Sequence, residues 1–108
     1  MSSELEPAPQ EAHPRPAADR VTYILNPTLE MSSGKTLAQI AHAATGAAAQ
    51  PDLGPWVAAG CPARVAVPET RAVFASLCGA EDLAAEVVDA GLTEVPPGTV
   101  TVLALRPA

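Results

Sequence analysis

VTYILNPTLEMSSGKTLAQIAHAATGAAA, residues Val21 to Ala49, changes its hydrophobic period partway along, and that change sets the fold class. Val21-Thr22-Tyr23-Ile24-Leu25 is a β-branched and aromatic run stopped by Asn26-Pro27, which reads as a strand. Ser32-Ser33-Gly34 then supplies helix-start chemistry, with a hydroxyl to bond free amides. Leu37, Ile40, Ala41 and Ala44 fall at helical spacing and predict one apolar stripe on a helix running to about Ala49. Gln50-Pro51 and Gly54-Pro55 end it.

The same alternation continues downstream. Arg64-Val65-Ala66-Val67 is a short strand ended by Pro68, and Glu69-Thr70-Arg71 opens a helix that turns Val73, Phe74 and Leu77 inward and stops at Gly79. Glu81 to Val88 has the propensity of a helix and the position of a strand. After a turn at Pro96-Pro97-Gly98, Thr99 to Leu105 is the clearest strand of the chain. Strict alternation puts Val100, Val102 and Ala104 on one face and Thr99, Thr101, Leu103 and Leu105 on the other. Strands alternating with helices give an α/β sheet with helices on its faces. Ligand chemistry in such folds sits where strands end and helices begin.

At 108 residues the chain is one small domain. Residues 1–19 are rich in Pro and acids and lack apolar periodicity, so they read as a disordered tail before a domain over 20–108. The tail has no apolar stretch of a secretory signal, and no run of about 20 apolar residues suggests a membrane span. The cytoplasm is the expected location. Ala supplies 23 of the apolar residues, so the core is expected to be thin. A net charge of −6 excludes a general basic footprint for nucleic acid and leaves room only for a local patch. Cys61 and Cys78 have no metal-ligand spacing, even with His13 and His42, and are expected to be buried free thiols. No metal or organic cofactor is indicated.

Lys35 is the sole lysine, in the first turn of a helix, where a cation opposes the helix dipole. Ser33-Gly34-Lys35-Thr36 is not a phosphate loop, because the required first glycine is replaced by Leu29. The alternatives are a solvated helix end, or positive potential and free amides facing an anion or a developing oxyanion. Lys35, Gln39 and His42 share one helix face, although a polar stripe is commonly only solvent-facing. Asp89, Thr93, Glu94, Thr99 and Thr101 gather around the last turn. Asp89 before Ala90-Gly91 is a turn former on one reading, and on the other a carboxylate that pairs with Lys35 and polarises a water. No nucleophile elbow and no Ser-His-Asp or Cys-His arrangement occurs, so any hydrolysis is direct attack by water.

The stretch from Met31 to Ala44, MSSGKTLAQIAHAA, resembles the helix-start signature of the type 2 (archaeal-type) peptidyl-tRNA hydrolase family. DAGLTEVPPGTVTVLALRPA, Asp89 to Ala108, is similar to its second signature. The two blocks are separate, in the right order, and cover about a third of the chain. The resemblance implies a small single α/β domain with a mixed sheet, four-stranded on the reading above, and helices packed on its faces. It implies hydrolysis of the ester between a peptide and the 3′ ribose of tRNA, with peptidyl-tRNA as partner and substrate. The family's catalytic lysine and aspartate fall on Lys35 and Asp89, and its threonines on Thr93 and Thr101. Gly34, Gln39, His42 and Thr99 fall at substrate-binding positions.

Four departures accompany the match. Ser33 stands where the family has a basic residue, Asn26 and Thr28 replace a basic and an acidic one, and Glu94 replaces a Gln. The chain also stops at Ala108, where the family continues with a helix and a strand. Positive charge is thus lost where an RNA backbone would bind, and an uncovered sheet edge suggests a homodimer or weak stability. The rival reading is a protein of the same fold that has left tRNA behind, as a hydrolase of another small acyl ester or amide, or as a non-catalytic interaction module.

Overall fold

The strand Val21–Leu25 is buried on both faces, and such a strand belongs at the centre of a sheet. In the computed structural model, which describes residues 9–89 and 98–108, it does lie there. The elements in chain order are β1 (Gln10–Glu11), β2 (Val21–Leu25), α1 (Ser33–Ala48), a 3₁₀ turn (Pro51–Leu53), α2 (Gly54–Ala58), β3 (Ala63–Pro68), α3 (Arg71–Leu77), β4 (Leu83–Val88) and β5 (Val100–Leu105). The sheet order is β1-β3-β2-β5-β4. β2 runs parallel to β3 and antiparallel to β5, and β4 is antiparallel to β5, so the sheet is mixed as expected.

Each face carries its own core. Val21, Tyr23, Val102 and Ala104 meet Ala43 and Ala47 of α1, with Leu53 and Trp56 closing that side. On the other face Ile24, Ala66, Leu103 and Leu105 meet Phe74 and Leu77 of α3, the side chains that helical spacing assigns inward. The alanines bring α1 close to the sheet. A side chain at Gly46 would place its Cβ 3.0 Å from the Cβ of Ala85, so glycine is what lets the helix descend onto β4.

Four expectations need correction, and one open reading is decided. The segment 1–19 is not a free tail over its described part: Gln10–Glu11 adds a fifth, parallel strand beside β3. Pro14 is fully buried, and the Arg64 guanidinium binds both the Glu11 carboxylate and the Arg15 carbonyl. A sheet edge needs hydrogen-bond partners more than it needs apolar side chains, which is why a polar, Pro-rich stretch can supply one. The segment Glu81 to Val88 resolves as strand, since β5 offers it a ladder. Residues 51–58 do not simply end α1 but form two further short helical turns that bury Leu53 and Trp56. The buried stripe of α1 is Thr36, Gln39, Ala43 and Ala47, while Leu37 is half exposed and Ala41 exposed. Finally, Cys61 is exposed, at φ 57, closing the end of α2 through its N–H to the Trp56 carbonyl; Cys78 is half-buried, and both thiols are free.

Candidate active site

The carboxyl ends of β2 and β4, the amino end of β5 and the start of α1 converge at one end of the sheet. Ser32 caps α1, its hydroxyl accepting the Lys35 N–H at 3.1 Å and its carbonyl the Thr36 N–H. This cap fixes the turn that carries Lys35. Its ammonium meets Oδ2 of Asp89 at 2.5 Å, and the two side chains are only 9% and 5% exposed. Removing two charges from water costs several kcal/mol per ion, which their attraction offsets only in good geometry. Each charge here compensates the other. Burial of the sole lysine against an aspartate is a poor way to stabilise a fold and a good way to prepare a reactive centre.

The Asp89 backbone is held at both sides. Its N–H donates to the Thr99 carbonyl at 2.9 Å, and its carbonyl accepts the Gly98 N–H at 2.8 Å. Gly98 sits at φ 79, a left-handed conformation that glycine adopts without strain. Thr99 therefore serves the site through its carbonyl.

Thr101 reaches the site through a β-bulge. Val87 pairs with Val102 and Val88 with Val100, so Thr101 is the extra residue on β5. The bulge breaks the expected alternation: Val100 packs with the α3-side cluster, while Thr101 turns to the α1 side beside Val102. Its hydroxyl donates to Oε1 of Gln39 at 2.5 Å, with the Val87 carbonyl more distant at 3.4 Å. Both residues are buried. Since a hydroxyl has one proton, and Gln39 takes it, Thr101 has only lone pairs left to offer another group.

Asn26, read from sequence as a strand stop, holds this bulge. Its N–H donates to the Thr101 carbonyl and its side-chain amide to the Val100 carbonyl. Its Oδ1 accepts from both the N–H and the hydroxyl of Thr28. The signal for it was an Asn, whose amide can pair with a neighbouring strand's backbone, at the end of the central strand.

Of the expected site residues, Lys35, Asp89, Gln39, Thr99 and Thr101 come together around the start of α1. Gly34 is exposed in the first turn, next to Lys35. His42 is exposed and makes no hydrogen bond or ion pair among the described residues, so it is not part of this cluster. Thr93 lies outside the described residues. Among the described residues no group of three or more His, Cys, Asp or Glu is placed to hold a metal, and no helix is long and apolar enough to cross a membrane.

Comparison with known proteins places the chain in a family. The family model described as "Peptidyl-tRNA hydrolase PTH2" matches residues 20–108. A peptidyl-tRNA hydrolase of Thermococcus onnurineus (strain NA1) is 39% identical over 95 residues, covering 79% of this chain and 80% of that protein. With a family model spanning β2 to β5, and a relative matched over most of both chains, the chain belongs to the peptidyl-tRNA hydrolase PTH2 family.

Proposed function

We propose that hydrolysis of the ester in peptidyl-tRNA, the reaction of this chain's family, runs through Lys35 and Asp89 by direct attack of water. The observation that carries this reading is the buried 2.5 Å pair at the start of α1. The Asp89 carboxylate accepts a proton of a water and aims its oxygen at the ester carbonyl. Thr101, able only to accept, takes the water's second hydrogen, and Thr93 completes that hold. The oxyanion of the tetrahedral intermediate develops against the Lys35 ammonium and the amide-rich start of α1. The carbonyl–O3′ bond then breaks, the peptide leaves as its acid, and the proton taken up by Asp89 passes to the ribose oxygen. Gly34 and Gln39 line the approach. His42, on the exposed face of α1, is a candidate contact for substrate beyond the reacting bond.

Such a substrate is met in the cytoplasm. The outer edge of β4 ends the sheet and is the edge a second copy would use in a homodimer, which sedimentation velocity would detect.

The test is peptide release from a peptidyl-tRNA analogue by the wild type, Lys35→Ala and Asp89→Ala, each shown folded by circular dichroism. Each variant is expected to lose about 10²–10³ in rate, the worth of one preorganised group at a developing charge. A folded wild type without turnover would overturn the reading in favour of the tRNA-independent alternative.

A further inference from the structure

The chain has six cationic side chains, Arg15, Arg20, Lys35, Arg64, Arg71 and Arg106, and all lie in described residues. Four are engaged by acids: Arg20 by Asp19, Lys35 by Asp89, Arg64 by Glu11 and Arg106 by Asp52. Their places in the fold matter as much. Arg20 precedes β2, Arg64 is the second residue of β3 and Arg106 follows β5, which puts all three toward the end of the sheet opposite Lys35. The Arg15 carbonyl is bonded by Arg64, so Arg15 goes with them. Only Arg71, exposed at the start of α3 just beyond β3, shares the site's end of the sheet. There it stands beside exposed Glu69, and exposed Glu30 lies shortly before α1.

A protein that grips a nucleic-acid duplex does so by neutralising phosphates, and six to ten contacts make affinity fall about 10³–10⁵ between 50 and 200 mM salt. This chain offers its site at most Arg71 and the already paired Lys35. We propose that it selects its substrate by the peptidyl ester and the single-stranded 3′ end, and not by the helical body of tRNA. The substrate class is therefore any short RNA 3′ end carrying a peptidyl ester. The inference rests on the hydrolase reading above and adds to it which part of the substrate is recognised.

The experiment compares kcat/KM for a full-length peptidyl-tRNA analogue and for an oligonucleotide of a few nucleotides bearing the same peptidyl ester. Both are assayed at 50 and 200 mM KCl with the full chain. The expected ratio between the two substrates is within tenfold. Full-length substrate is expected to lose about three- to tenfold across that salt range, the effect of one or two phosphate contacts. A fragment more than tenfold poorer than tRNA, or a salt effect of a hundredfold or more, overturns the inference and leaves the hydrolase intact. Turnover of neither substrate overturns both.

Discussion

The two ends of the sheet use the same interaction to opposite effect. At one end Lys35 and Asp89 form a pair almost sealed from water. At the other, Arg106 reaches the Asp52 carboxylate with two nitrogens, at 2.8 and 3.3 Å, but the Asp52 side chain is 57% exposed. Arg106 also bonds the Leu83 carbonyl and Gln50 Oε1, tying β5, β4 and the turn after α1 together. The exposed pair gives up little hydration and adds a small stabilisation. The buried pair gives up much, and its net contribution to folding is near zero or negative. An ion pair placed where it does not help the fold asks for another reason, and the proposed hydrolysis supplies one.

The largest expected effect breaks this comparison at the buried end. Lys35→Met alone leaves the Asp89 carboxylate buried and uncompensated, which costs about 3–5 kcal/mol. Lys35→Met with Asp89→Leu removes both charges and should recover most of that loss, ending near or above wild type. Urea unfolding of the three proteins decides it. If the double variant is as unstable as the single one, the pair holds the fold together and the contrast between the two ends disappears. Neither variant should release peptide.

Thr101→Val comes next. It keeps the shape of the bulge but deletes the proton that Gln39 Oε1 accepts, leaving that oxygen buried and unsatisfied. The cost is about 1–3 kcal/mol in unfolding free energy. Thr101→Ser, which retains the hydroxyl, should recover most of the activity that the Val variant loses. Equal activity of all three would remove Thr101 from the water-holding role.

How much of this was legible follows the same division. β2, α1, β3, α3 and β5 were readable because burial there follows simple periods, two along a strand and about 3.6 along a helix. The site was less so. Strict alternation put Thr101 on the face of Leu103 and Leu105, which packs against α3, and only the bulge opposite Val87 and Val88 turns it toward Gln39. Nothing in TVTVLAL announces an inserted residue, since a bulge depends on how the partner strand registers. The α1 stripe was misplaced for a related reason: Leu37 looked inward and Gln39 outward, yet Gln39 is buried because Thr101 gives its amide a partner. Polar groups go inside when another element satisfies them, and that element lay 62 residues away. The pairing of Lys35 with Asp89 was one of two readings of an Asp before Ala-Gly, and the family resemblance chose between them.

Smaller effects belong to the opposite end. Arg64→Ala removes the guanidinium that joins Glu11, the Arg15 carbonyl and the Thr22 hydroxyl. The pair is about one-third exposed, so the loss is about 1 kcal/mol or less. The effect should be local. Amide exchange should quicken at Val67 and Glu69, which donate to the Pro9 and Glu11 carbonyls, and stay unchanged at the central strand β2. Uniform quickening across the sheet would mean that residues 9–19 are integral to the domain and do not act as a separable strap.

The smallest effect sharpens the comparison through pH. The hydrogen bonds from Arg106 hold the Asp52 carboxyl below the usual aspartate range, and Asp52 in turn raises the Arg106 guanidinium above its ordinary value. A carboxyl whose folded value is depressed binds protons less readily folded than unfolded. Its contribution to stability is therefore present above about pH 4, the ordinary aspartate value, and is lost as the pH falls through the depressed folded value. Asp52→Asn should accordingly lower the urea midpoint slightly at pH 7, and the difference from wild type should vanish in strong acid. Because Asp52 faces solvent, the difference at pH 7 should also shrink in 1 M salt, where exposed charges are screened within about 3 Å. The buried pair at the other end is shielded from that screening, so the instability of Lys35→Met should persist in the same salt. A salt response shared by both variants would show that water reaches Lys35 and Asp89 as freely as it reaches Asp52.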